Sequence, residues 1–144
     1  MEITPETAIY TQAKMPSRSE TILVIDDSID LLNLSRTILE LEDYEVLTAS
    51  CGEDALAILA NSKSVSLILL DMRMEDMSGL EFMLELETRM PQVIESVPIV
   101  FLTALEKVPE SKAIGFIRKP YNMDSLLVAV RGFIENGTKR VRSN

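Results

Sequence analysis

The chain of 144 residues contains no histidine. That absence removes Ser-His-Asp and Cys-His catalysis, the common zinc sites, and any phosphohistidine carried by the chain itself. Cys51 is the only cysteine, so no internal disulfide forms. Long hydrophobic runs are also missing. The longest apolar stretches, such as Leu67 to Leu70 and Ile99 to Leu102, are far too short to span a bilayer. The N-terminus lacks the charged-then-apolar pattern of a secretory leader, so a cytoplasmic location is expected. Basic residues are in deficit, 14 against 23 acidic ones, for a net charge of −9. A field of that sign opposes direct contact with nucleic acid or membrane insertion through an anionic surface. With nitrogen and sulfur ligands so scarce, any metal chemistry must use oxygen, which points to Mg²⁺ or Mn²⁺.

The remaining composition is that of a globular protein. Apolar residues make up 47% and charged residues 26%, enough for one domain with a core of its own. Residues 1–20 are polar and show no sustained period, which predicts a loose N-terminal arm. From Thr21 onward, strand-like and helix-like segments alternate. Ile22 to Ile25, Tyr44 to Ala49, Val65 to Leu70, Val97 to Leu102 and Ile114 to Arg118 are short apolar runs. Between the first two lies a helical stripe of Leu31, Leu34, Ile38 and Leu41. Ser50 with Glu53, and Ser78 with Glu81, have the spacing of capping boxes that open helices. Pro91 follows the end of the second of these. Leu126, Val130 and Phe133 mark a last helix, with Gly137 as its predicted stop. Lys139, Arg140 and Arg142 then form a basic tail over 137–144.

Strands that are apolar throughout suit a parallel sheet covered on both faces. Right-handed crossovers place all strand C-termini on one edge, where open α/β sheets bind ligands. Asp26, Asp27, Asp71, Thr103 and Lys119 all stand at or just past strand ends, so they are expected to meet in one cleft. Three carboxylates together must take up a proton or a divalent cation. An ionised aspartate is a competent nucleophile toward phosphorus, giving an aspartyl phosphate. Lys119 would neutralise phosphoryl oxygens as a point charge, and the Thr103 hydroxyl could donate to one of them.

Over Thr21 to Asn136 the sequence resembles the receiver domains of bacterial two-component response regulators. The resemblance rests on Ile22-Leu23-Val24-Ile25-Asp26-Asp27, Leu69-Leu70-Asp71-Met72, Met77-Ser78-Gly79-Leu80-Glu81, Leu102-Thr103-Ala104 and Lys119-Pro120. It implies a doubly wound, flavodoxin-like sheet of five parallel strands in the order 2-1-3-4-5. It makes Asp71 the phosphoacceptor. Asp27, Asp71 and the Arg73 carbonyl would ligate Mg²⁺ directly, and Asp26 through water. Lys119 would contact the phosphoryl group, Thr103 would be the switch hydroxyl, and Phe116 the rotating aromatic. The implied donor is a sensor histidine kinase or a histidine phosphotransfer protein. The implied product is a changed affinity for a downstream protein. Such a chain is not an enzyme beyond its own phosphorylation and dephosphorylation.

Two departures accompany the resemblance. Glu75 stands where the family commonly has proline, and with Asp76 it makes the loop after the acceptor unusually acidic, able to bind a cation or to weaken phosphoryl transfer. Between Thr103 and Lys119 there is room for a strand but not for a full helix as well. The fourth helix is therefore expected to be shortened or missing. A phosphorylation-independent interaction module is the alternative these departures favour. A phosphatase of the haloacid-dehalogenase type would need an acid two residues past its nucleophile. Those positions hold Ser28 and Arg73.

Overall fold

A computed structural model describes residues 20–61 and 64–142, with side chains described as far as 136. Of the expected arm, only Glu20 lies inside the described residues. The elements run β1 (Thr21–Ile25), α1 (Ile29–Glu40), β2 (Glu45–Ala49), α2 (Gly52–Asn61), β3 (Leu67–Asp71), α3 (Gly79–Arg89), α4 (Pro91–Ser96), β4 (Ile99–Thr103), β5 (Gly115–Arg118) and α5 (Met123–Arg142). All strand pairs are parallel, and the sheet order is 2-1-3-4-5.

Residues alternate between faces along each strand, and in the three central strands both faces are buried. Leu23, Ile25, Ile68, Leu70, Ile99 and Phe101 pack against Leu56 and Leu59 of α2 and Phe82 and Leu86 of α3. Ile22, Val24, Leu69, Val100 and Leu102 pack on the other face against Leu32 and Leu39 of α1 and Leu126 and Val130 of α5. This two-sided burial is why β1, β3 and β4 read as unbroken apolar runs.

Several local expectations need correction. The buried stripe of α1 is Leu32, Ser35, Ile38 and Leu39, while Leu34 and Leu41 are 44% and 61% exposed. Leucines occupy both candidate faces, and Ser35 can lie inside because its hydroxyl meets the Tyr121 hydroxyl at 2.7 Å. Ser50 does not cap α2. The helix begins at Gly52, one residue too late for that role, and the carboxylate of Asp76 accepts from the Gly52 and Glu53 amides instead. Pro91 follows the end of α3 as expected, and it also opens α4 at a first-turn position where its missing N–H costs nothing. Gly137 is no stop, because α5 continues to Arg142. Glycine weakens a helix interior by about 1 kcal/mol but does not by itself end one.

The box of Ser78 and Glu81 is present as expected, with Glu81 N donating to Ser78 Oγ at 3.1 Å and Ser78 N to Glu81 Oε1 at 2.8 Å. The next residue, Gly79, has no room for a side chain. A Cβ there would stand 2.9 Å from the Asp71 carbonyl oxygen and 3.1 Å from Met72 Cα. Those neighbours are backbone and cannot swing away. Gly79→Ala is expected to cost roughly 1–3 kcal/mol in chemical denaturation; an unchanged midpoint would contradict this packing.

Residues 104–114 contain no helix. The segment is held to β5 by Arg118, whose guanidinium donates to the Leu105 carbonyl and, at 3.3 Å, to the Glu106 carbonyl. No described helix is long and apolar enough to cross a membrane.

Candidate functional site

The strand order reverses between β1 and β3, and a crevice opens there beyond the strand C-termini. Ile25 pairs with Leu70, so the residues that follow emerge side by side. Asp26, Asp27 and Asp71 each present an oxygen within 4.8 Å of the others. Asp26 and Asp71 are buried, whereas Asp27 is exposed. Lys119 follows β5 and reaches back across the cleft. Its Nζ lies 2.8 Å from Asp26 Oδ2 and 3.3 Å from Asp71 Oδ1.

Backbone donors hold the same two acids. Ser28 N donates to Asp26 Oδ1 at 3.0 Å, and Arg73 N donates to Asp71 Oδ1 at 3.2 Å. Ser28 Oγ meanwhile accepts from Leu31 N and caps α1. Asp26 Oδ2 is buried and receives no aligned hydrogen bond. Its short contact with Lys119 is therefore an ion pair that leaves acceptor capacity open.

The electrostatics follow from burial and an excess of acid. Burial pushes Asp71 up to about 6, and the neighbouring Asp26 charge adds to this. The Arg73 N–H and Lys119 pull the other way without winning. Burial disfavours the Lys119 ammonium, but contact with Asp26 and the charges of Asp26 and Asp71 outweigh it and hold the amine above its usual value. One half-buried ammonium thus contacts two of three clustered carboxylates. An all-oxygen donor set with surplus negative charge and an open buried acceptor fits a hard divalent cation. Glu75 and Asp76 are not part of that set, and Asp76 is turned to the N-terminus of α2.

A cleft of about 310 Å³ lies over Asp71, lined also by Arg73, Thr103, Leu105 and Lys119. Thr103 is buried, and its Oγ1 accepts from Leu105 N at 2.9 Å. That bond does not use the hydroxyl proton. Phe116 is 42% exposed, with the Arg118 guanidinium 5.2 Å from its ring centroid. Asp71, Arg73, Thr103 and Lys119 line the cleft, Asp26 and Asp27 cluster with Asp71 beside it, and Phe116 stands outside it.

The sequence reading missed four participants. Ser35 and Tyr121 join α1 to the loop after Lys119, and a serine inside a leucine stripe was the available signal. Asp76 looked like loop acidity because its partners lie 23 and 24 residues away. Arg118 carried no sequence signal for its role in holding 105–106.

A cluster of three acids and a lysine at this switch point defines a class of α/β domain with its ligand site beyond the strand C-termini. Comparison with known proteins makes the assignment specific. The sequence model of the response regulator receiver domain matches residues 22–131. The chain belongs to that family, whose members are signalling domains rather than classical enzymes. It is 31% identical over 127 residues to the transcriptional regulatory protein GlrR of Escherichia coli, covering 84% of this chain but 28% of that protein. The chemotaxis response regulator CheY4 of Vibrio cholerae superposes with a TM-score of 0.73 at 28% identity, covering 81% of this chain and 99% of that one. The response regulator TrrA of Thermotoga maritima, crystallised in complex with Mg²⁺–BeF, has a TM-score of 0.68 at 30% identity, covering 79% and 98%.

Proposed function

We propose that this chain is a phosphorylation-dependent switch that accepts a phosphoryl group on Asp71 from a histidine kinase or histidine phosphotransfer protein. The observation that carries the reading is the contact of Lys119 with both Asp26 and Asp71 at the floor of an open cleft. The receiver unit is residues 21–136, flanked by an arm at 1–20 and a basic segment at 137–144.

In the reaction, an ionised Asp71 oxygen attacks phosphorus and the bond from phosphorus to the donor nitrogen breaks. The leaving imidazole keeps that electron pair, and an acyl phosphate remains on Asp71. Asp71 holds a proton more readily than an ordinary aspartate, yet at neutral pH the ionised form still predominates. Lys119 neutralises the entering phosphoryl oxygens. Arg73 N orients the nucleophile by holding Oδ1. The Thr103 hydroxyl proton is placed to donate to a phosphoryl oxygen. Asp26, Asp27, Asp71 and the Arg73 carbonyl would hold Mg²⁺, with Mn²⁺ as substitute. The cation supplies charge neutralisation for the equatorial oxygens when bound.

Phosphorylation adds roughly 1.5 to 2 negative charges. Movement of Thr103 toward them breaks its bond from Leu105 N and so loosens the 104–106 turn that Arg118 grips. Phe116, held outside beneath Arg118, is then free to change rotamer. The changed face is the output surface for a downstream protein. The acidic charge of the domain argues against direct contact with nucleic acid.

The test is intact mass after incubation with acetyl phosphate and Mg²⁺. One phosphoryl adduct is expected on the wild-type chain, and none on Asp71→Asn or without divalent cation. A folded wild-type chain that takes no adduct would leave the phosphorylation-independent module as the better reading.

A further inference from the structure

The segment from Met72 to Ser78 lies between the acceptor and α3 without regular structure. Its two ends are pinned together, because Gly79 N donates to the Met72 carbonyl at 2.9 Å. The middle is fastened elsewhere. Asp76 Oδ1 accepts from Gly52 N at 3.1 Å, and Oδ2 accepts from Glu53 N at 3.2 Å. Both amides belong to the first turn of α2, where orphan donors and the helix dipole favour a carboxylate. Met77 covers the same turn. A Cβ on Gly52 would stand 2.5 Å from Met77 Sδ and 2.9 Å from Met77 Cε. Two consecutive loop residues thus engage one helical turn from a distance in sequence.

Arg73 lies three residues before Asp76 in that loop, and its N–H holds Asp71 Oδ1. We propose that Asp76 is a positioning residue: by clamping the loop to the start of α2 it sets the Arg73 backbone against the Asp71 carboxylate. The proposal rests on the reading of Asp71 as phosphoacceptor. Asp76 touches none of the acids in the cleft and acts only through the loop. Its carboxylate replaces the local cap that Ser50 does not provide, so the stability of α2 and the geometry of the acceptor share one residue.

The test uses Asp76→Ala, Asp76→Asn and Gly52→Ala in the full chain. Asparagine keeps an oxygen acceptor of N-cap quality; alanine keeps none. The first readout is amide hydrogen exchange at Arg73 in metal-free protein. The second is the Mg²⁺ concentration that half-saturates phosphoryl uptake from acetyl phosphate, separated from the rate at saturation. For Asp76→Ala, Arg73 exchange is expected to speed up on the order of tenfold, and the half-saturating Mg²⁺ concentration to rise by a similar factor. Asp76→Asn is expected to restore most of both. Gly52→Ala, which displaces Met77 from the same turn, moves both in the direction of Asp76→Ala and serves if that variant fails to fold. Glu75→Gln leaves both unchanged. Wild-type Arg73 exchange and Mg²⁺ response in Asp76→Ala would overturn the proposal, as would equal impairment by alanine and asparagine. A wild-type chain that accepts no phosphoryl group would overturn the reading of the site, while the clamp itself stands or falls on Arg73 exchange.

Discussion

Lys119→Met is expected to slow phosphoryl uptake by about 10²–10³-fold and, without divalent cation, to lower folding stability by about 3 kcal/mol. Both effects come from one ammonium serving two acids. Lys119 stands 2.8 Å from Asp26 and 3.3 Å from Asp71, and both carboxylates are buried. Methionine preserves the stem but leaves those charges without a counter-ion in a poorly solvated floor. Removing one partner of a buried pair costs more than the pair contributes, because the survivor keeps its desolvation penalty. A divalent cation is expected to recover part of the stability, since it binds the folded state and replaces the missing positive charge. It is not expected to recover the rate, because the role proposed for Lys119 is to neutralise phosphoryl oxygens directly. Urea denaturation with and without Mg²⁺, beside uptake from acetyl phosphate, measures both. Equal stability of the two proteins in chelator would show that Lys119 does not compensate the acids.

Asp71→Asn is expected to act in the opposite direction on stability while abolishing uptake. Burial raises Asp71 from 3.8 to about 6, so the folded state holds this proton more tightly than the unfolded chain does. As pH rises through that interval, the unfolded state ionises first and gains relative to the native one. Wild-type stability in chelator therefore falls between pH 3.8 and about 6 and then levels off, as far as Asp71 contributes. The contribution amounts to at most roughly 3 kcal/mol at neutral pH, at about 1.4 kcal/mol per unit. Asparagine removes the charge but keeps an oxygen for the Arg73 N–H. Its stability curve should lack that descent and lie above wild type at neutral pH. Denaturation midpoints over a pH series in chelator decide this. A variant less stable than wild type at neutral pH would mean that the ionised carboxylate is favoured, not opposed, by its surroundings.

The contrast between these two substitutions shows how the site is built. On these expected outcomes the buried Asp71 charge works against folding and Lys119 offsets it. A divalent cation would neutralise that surplus charge. The Arg73 N–H bond, the Asp76 bonds to the start of α2 and the close packing at Gly79 fix the backbone on either side of that cleft.

The sequence by itself determined the sheet and the membership of the cleft. Each strand run lies within two residues of an observed strand, because burial on both faces demands unbroken apolar residues in β1, β3 and β4. Asp26, Asp27, Asp71, Thr103 and Lys119 could be assembled on paper because parallel strands bring all their C-terminal ends to one edge. The missing helix in 104–114 was legible from length alone. Tertiary structure decided what depends on a partner distant in sequence. Ser35 is buried instead of Leu34 because Tyr121 supplies a hydroxyl across the domain. Asp76 caps α2 in place of Ser50 because the loop after β3 folds over that helix start. Phe116 faces outward under Arg118 because no helix covers that side of β5. Apolar periodicity is a local property and survives in one dimension. A polar group is satisfied by whichever donor or acceptor the fold brings near, and that neighbour exists only once the chain has closed on itself.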